Sequence, residues 1–247
     1  MSHGLVDIHQ HCVYGVDDGP KNWEDTLAML SSAEKQGIER IIATSHALPG
    51  RAHFDFDGYL DKLDEINAYA RKQGWKIRLL PGCEIYYSSK ALKKLDADAI
   101  PTLVGGQHVL VEFQPETKAD EVFRAMRELA NGGYKPILAH VERYFALQDK
   151  PEVIQDLRRL GVLIQMNAKT VLHSKGLFGG KGFIRKLLKE GVVDFVATDA
   201  HNTSSRPVCL KEAYDFLQKH YGQEMADLLT WKNQIELIPN LNSDSEM

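Results

Sequence analysis

A chain of 247 residues with 43% hydrophobic and 26% charged side chains can bury a proper core and has the composition of a globular protein. Its formal net charge of -4 gives no electrostatic case for nucleic acid or an anionic membrane as partner, and no stretch is long and apolar enough to span a bilayer. The start of the chain lacks the apolar run of a signal peptide, and the three cysteines (Cys12, Cys83, Cys209) are too few for a disulfide framework, so a reducing, cytoplasmic setting is expected.

Val6-Asp7-Ile8 reads as a first strand. Trp23, Leu27 and Leu30 fall at i, i+4 and i+7 of a helix that Gly37 ends, and Arg40 to Thr44 follows as a second strand. Gly74 precedes a third strand, Ile77 to Leu80, and Val109 to Val111 is a fourth. Val122, Phe123, Met126, Leu129 and Ala130 form a helical stripe, stopped by Gly132-Gly133 before Pro136 to Ala139. Val153, Ile154, Leu157 and Leu160 form another, stopped by Gly161 before Val162 to Met166. Ile184, Leu187 and Leu188 precede Gly191 and a last run, Val192 to Ala197. Glycine suits each stop because the residue after a helix C-cap needs a positive φ. The pattern gives about seven strands alternating mostly with helices, hence an α/β fold with a mainly parallel sheet, open or closed. No internal linker interrupts it, so residues 1–247 are expected to form one domain, with Asn242 to Met247 a frayed tail.

Metal-ligating residue types recur where these strands end. His9-Gln10-His11 and then Asp17-Asp18-Gly19 follow the first, Ser45-His46 the second, and Gly82-Cys83-Glu84 the third. Glu112 ends the fourth, His140 the fifth with Arg143 close behind, and Asn167 the sixth; Asp199-Ala200-His201 follows the seventh. In parallel α/β folds this is the edge where active sites form. Residues two apart on a strand point to the same side, so His9 with His11, and Asp199 with His201, can each grip one ion. Mixed imidazole and carboxylate ligation suits Mn, Fe or Zn. Alone, an H-x-H pair is more often surface or core histidine, Asp17-Asp18-Gly19 a turn, and Glu84 a solvated acid; their coincidence in one register carries the metal-site reading. His53, His108, His173 and His220 match no such position and read as surface or supporting groups.

Other schemes fail on spacing. A cysteine phosphatase needs an Arg six residues after its Cys, and the residues there are Asp18, Ser89 and Asp215. Neither a G-x-S-x-G elbow nor a P-loop is present. Gly179-Gly180-Lys181-Gly182 lacks a preceding strand and reads as a loop cap.

The runs Asp7-Ile8-His9-Gln10-His11, Val16 to Pro20, Thr44-Ser45-His46, Pro81 to Glu84, Ala139 to Tyr144 and Thr198 to Asn202 occur in an order that resembles the PHP superfamily of phosphoesterases. More narrowly, over essentially the whole chain, they resemble the bacterial capsule and exopolysaccharide tyrosine-protein phosphatases, the CpsB/YwqE-like group. The resemblance implies a distorted (β/α)7 TIM-like barrel with up to three ions, usually Mn²⁺, with Zn²⁺ or Fe as alternatives. It implies one ion on His9, His11, Glu84 and Asp199, a second on Glu84, Glu112 and His140, and a third on Asp18, His46 and His201. Arg143 and Arg206 match phosphate-holding arginines, and Pro207-Val208 stands where the group often has Pro-Pro. The implied reaction is attack on phosphotyrosine by a metal-bridging hydroxide. The implied substrate is the phosphotyrosine-bearing tail of a bacterial tyrosine autokinase that regulates capsule or exopolysaccharide synthesis. Phe54, Tyr86 or Tyr87 could line a phosphotyrosine pocket or simply pack. A small-molecule phosphatase of the histidinol-phosphate type shares the ligand plan, and a non-catalytic metal-binding regulatory module is a third reading, which the complete ligand set disfavours. Amidohydrolases also open with H-x-H, but often place a modified Lys where this chain has Glu112.

Overall fold

The computed structural model describes residues 4–148, 150–174 and 181–238. The tail from Asn242 and the Gly179-Gly180 half of the Gly179-Gly180-Lys181-Gly182 run lie outside the described residues, while Lys181 and Gly182 open a helix, Lys181–Lys189. Every strand pairing is parallel, as the alternation predicts. One sheet runs β1 (Leu5–Gln10), β2 (Ile38–Ala43), β4 (Arg78–Pro81). The other runs β3 (His46–Ala47), β5 (Glu84–Tyr86), β6 (His108–Glu112), β7 (Lys135–Leu138), β8 (Leu163–Asn167), β9 (Phe195–Ala197). Beyond β9, Ala200 bridges back to Gln10, with His11 N donating to Ala200 O at 2.9 Å and Asp199 N to His9 O at 2.7 Å. The end of β1 is thus bonded on both flanks.

Among the described residues nine strands stand where about seven are expected, and two neighbouring pairs are separated by only two residues each. β2 stops at Ala43 and resumes as β3 past Thr44-Ser45; β4 stops at Pro81 and resumes as β5 past Gly82-Cys83. Tyr59, on α2 (Phe56–Lys72), serves both breaks: its hydroxyl donates to Ala43 O at 2.6 Å and accepts from Gly82 N at 3.2 Å. Buried backbone groups freed by a break need such partners. Gly82 is required by close approach, since a Cβ there would sit 2.7 Å from Ile42 Cγ2 and 3.0 Å from Leu103 Cδ2.

The helices pack outside the sheets. α1 (Trp23–Lys35) is capped by Asn22, whose side chain accepts from Asp25 N, and it buries Thr26, Met29, Leu30 and Ala33. Beyond its C-cap Gly37 has φ +73°, and beyond α5 (Pro151–Arg159) Gly161 has φ +84°, the conformation that makes glycine the stop signal. The apolar core is in two parts. The larger lies between strands and helices. The smaller, including Val6, Ile8, Ile42, Leu110, Ile137 and Phe195, lies among the strands, and Trp231, Ile235 and Leu237 pack on it. These come from the chain's end: after α8 (Leu210–Tyr221) and α9 (Gln223–Asp227), a π-helical turn spans Leu228–Lys232. Among the described residues no helix is long and apolar enough to cross a membrane.

Candidate metal centre

All the strand-end ligand types gather at one place. The imidazole Nε2 atoms of His9 and His11 lie 3.3 Å apart, and Glu84 Oε2 lies 3.3 Å from the first and 3.2 Å from the second. Asp199 Oδ1 is 3.5 Å from His9 Nε2, completing a group of four buried donors within 4.8 Å of one another. A second group joins His11, Asp18, His46 and His201; Asp18 Oδ1 is 3.4 Å from His46 Nε2 and 3.2 Å from His201 Nε2. A third joins Glu84, Glu112 and His46, with His46 Nδ1 at 3.2 Å and 3.0 Å from the two carboxylates. His140 Nε2 also meets both acids, at 2.9 Å from Glu84 and 3.5 Å from Glu112. The trio implied by the resemblance, Glu84 with Glu112 and His140, is therefore in contact, but the geometry adds His46, whose two nitrogens face two groups.

The backbone aims these side chains. His140 (φ +33°) and Asp199 (φ +53°) adopt left-handed conformations at their strand ends, uncommon for non-glycine residues and a sign that the surroundings hold them. The adjacent acids divide their work. Asp18 is exposed and sits among the donors, whereas Asp17 accepts from His11 Nδ1 at 2.7 Å and from His46 N at 2.9 Å. His11 is thereby held with Nε2 turned to the other donors.

Burial opposes charge on His11, yet hydrogen bonds and charges from Asp17 and Glu84 outweigh it and raise its pKa to about 10. For His140, burial is likewise outweighed by Glu112 and Glu84, and the pKa rises to about 9. Burial alone would raise Glu84 and Asp199, but the neighbouring imidazoles, joined at Asp199 by Arg143, hold both below the ordinary carboxylate range. His201 falls to about 4 through burial and the cations His11 and Arg206. His46 Nδ1 and His201 Nε2 are buried and make no aligned hydrogen bond, although carboxylate oxygens stand 3.0 to 3.2 Å from them. Acceptors crowded together, with such imidazole nitrogens among them, fit divalent cations and are costly otherwise. The donor set is nitrogen and oxygen only; Cys12 and Cys83 are buried and their thiols are pushed well above the ordinary value by burial, which makes them packing residues rather than nucleophiles.

Arg143 and Arg206 flank the cluster. Both donate to Asp199, Arg206 at 2.6 Å to Oδ1 and Arg143 to Oδ2. Each also lines two cavities of about 560 Å³. One holds Asp18, His46, Glu112, Phe54, Tyr86 and His53; the other holds Asn167, Lys169, His173 and Phe183. Of the aromatic residues singled out in the sequence, Phe54 and Tyr86 border the cluster. Tyr87 lies instead in a neighbouring groove shared with Tyr86. His220 is remote, packed on Phe216. Gln165, unnoticed in the sequence, lies at the centre of the supporting hydrogen bonds; its place two residues before Asn167, on the same strand face, was the available signal.

A parallel α/β fold with a His and carboxylate cluster where its strands end defines a class, that of metal-dependent hydrolases. Within that class, the chain belongs to the CpsB/CapC family of capsular polysaccharide synthesis, whose model matches residues 5–239. The tyrosine-protein phosphatase CpsB of Streptococcus agalactiae serotype V is 34% identical over 241 residues, 96% of this chain and 99% of that protein. A solved structure of the pair YwqE from Bacillus subtilis and CpsB from Streptococcus pneumoniae, described as unique metal-dependent tyrosine phosphatases, superposes with a TM-score of 0.85 at 28% identity, covering 94% of each chain. Histidinol phosphate phosphatase from Lactococcus lactis, with zinc, shares the fold at a TM-score of 0.61 and 16% identity over 93% of this chain and 97% of that one.

Proposed function

We propose that the chain is a metal-dependent protein-tyrosine phosphatase acting on the phosphotyrosine-bearing tail of a bacterial tyrosine kinase that regulates capsule or exopolysaccharide synthesis, in the cytoplasm. The observation that carries this is the convergence of His9, His11, Asp18, His46, Glu84, Glu112, His140, Asp199 and His201 beside two arginines, in a chain of this family. Those nine residues are the ligands, holding up to three ions, Mn²⁺ in preference to Zn²⁺ or Fe. With β2 and β3 taken as one interrupted strand, and β4 and β5 as another, the architecture is a distorted (β/α)7 barrel, one PHP-type domain.

When bound, the ions supply an activated water near neutral pH and neutralise phosphoryl charge. The chain's own residues do the rest. Arg143 and Arg206 hold the phosphoryl oxygens through fork-shaped hydrogen bonds that strengthen as charge builds in the transition state. Phe54 and Tyr86 offer aromatic surface to the substrate ring in the cavity that contains Asp18 and His46. Phenolate is a comparatively good leaving group, which lightens the demand for a general acid.

The test is para-nitrophenyl phosphate turnover by chelator-stripped protein, with Mn²⁺, Zn²⁺ or Mg²⁺ restored and the thiols alkylated in parallel. A phosphotyrosine peptide and histidinol phosphate are then compared. Metal-restored turnover that ignores alkylation and favours the peptide is expected. Preference for histidinol phosphate would overturn the assignment to protein substrates, and folded protein inert with every metal would overturn the enzyme.

A further inference from the structure

Gln165 is fully buried on β8, among the strand ends, and it is not a donor in any of the three candidate ion groups. Its amide oxygen accepts from the backbone N of His140 at 2.7 Å and meets His9 Nδ1 at 3.2 Å. Its amide nitrogen donates to Asn167 Oδ1 at 2.9 Å. Asn167 Nδ2 in turn donates to Asp199 Oδ2 at 2.8 Å, and Asn167 N donates to Glu142 Oε1 at 3.0 Å.

The donors fix the amide's orientation. A backbone N–H can only donate, so the atom facing His140 N must be oxygen. The same oxygen faces His9 Nδ1, so His9 donates from Nδ1 and carries its lone pair on Nε2, the atom turned to Glu84 and Asp199. The bond to His140 N matters for a second reason. His140 sits at φ +33°, a conformation that a non-glycine residue keeps only when held, and its Nε2 must reach Glu84.

The geometry points to Gln165 as a positioning residue that holds ligands from three separate strand ends at once. It sets the tautomer of His9 directly, secures the left-handed turn at His140 directly, and orients Asp199 through Asn167. This role rests on the metal-site reading above. A single amide thus ties β1, β7 and the segment after β9 to β8, and without it three ligands lose their aim together. Outer partners of this kind typically govern about 10- to 100-fold in metal affinity.

The experiment uses the full chain loaded with Zn²⁺, which is diamagnetic. Long-range ¹H–¹⁵N correlation reads the His9 tautomer. Chelator competition reads Zn²⁺ affinity in wild type, Gln165→Met and Gln165→Glu. Methionine keeps the length and removes the acceptor; glutamate keeps the acceptor. The expected results are a proton on His9 Nδ1 and none on Nε2, Zn²⁺ affinity about 10- to 100-fold weaker in Gln165→Met, and most of that loss restored in Gln165→Glu. Zinc bound by Gln165→Met as tightly as by wild type, or His9 found with its proton on Nε2, overturns the role of Gln165 while leaving the metal site standing. A wild-type protein that takes up no Zn²⁺ overturns the metal-site reading itself. Should Gln165→Met fail to fold, Gln165→Ala, which also lacks the acceptor, takes its place beside the wild-type tautomer: the same loss of Zn²⁺ affinity supports the role and wild-type affinity overturns it.

Discussion

Asp199 occupies the hinge of the site: its Oδ1 sits among imidazoles, and both of its oxygens hold arginines. Replacing it with Ala removes a donor and leaves Arg143 and Arg206 without their shared counter-ion, so turnover should vanish. His9→Ala should also abolish turnover, with metal lost, while helix and sheet content measured by circular dichroism stays at the wild-type level. The ring neighbours of His9 are the ligands His11 and His140, so its loss should be felt at the cluster before the fold. Arg143→Ala should separate from both. Its guanidinium makes no donor to a metal, so mass-spectrometric metal content should be unchanged while kcat falls by about 10²- to 10³-fold, the usual cost of one preorganised charge stabiliser. Full activity in Arg143→Ala would remove that residue from the reaction.

At the level of elements, the strand breaks at Thr44-Ser45 and Gly82-Cys83 decide where His46 and Glu84 point. The pleat restarts after each break, and the pair His46 and Glu84 then register opposite each other. Gly82→Ala should disturb this directly, because the new methyl would press on Ile42 and Leu103. An overpacking cost of about 1–3 kcal/mol is expected, read as a lowered denaturation midpoint, with activity falling further than stability alone accounts for. A Gly82→Ala protein of wild-type stability would show that the strand can shift cheaply. The breaks were not legible in the sequence. Hydrophobic runs announce strands, and the glycine stops announced the parallel alternation, but an interruption of two residues leaves no periodic trace. The same holds for the last apolar side chains on the smaller core: Trp231 lies within a π-helical turn and Ile235 and Leu237 follow it, so their spacing matches no regular template. Gln165 escaped notice because a buried amide among apolar strand residues has no chemical signature until its partners are in place. The ligand types were legible because each falls at the end of a strand, where i, i+2 spacing predicts a shared face.

Across the whole molecule, the charge balance of the cluster links metal loading to folding. In the metal-free chain His11 and His140 stand above their ordinary value, at about 10 and 9. Their contribution to stability is therefore complete below about pH 6.5 and is lost as pH rises through 9 and 10. Asp17, Glu84 and Asp199 are shifted the other way, so their contribution is present above about pH 4 and lost on acidification. Asp7, raised to about 6 by burial despite its bonds to Thr198, works against the carboxylates and weakens the fold as pH climbs toward that value. Metal-free protein should thus melt highest in mildly acidic buffer, and the part of its midpoint that these two histidines carry should decline from about pH 6.5 and level off once pH passes about 10. Metal ions reverse the dependence, because imidazole must be neutral to ligate. Binding at pH 7 should expel at least the protons of His11 and His140, to which His46, also shifted upward, adds, and affinity should rise with pH. Titration calorimetry in two buffers of different ionisation enthalpy counts them, and a binding heat independent of buffer would mean that the metal-free cluster does not hold its charge balance on these histidines.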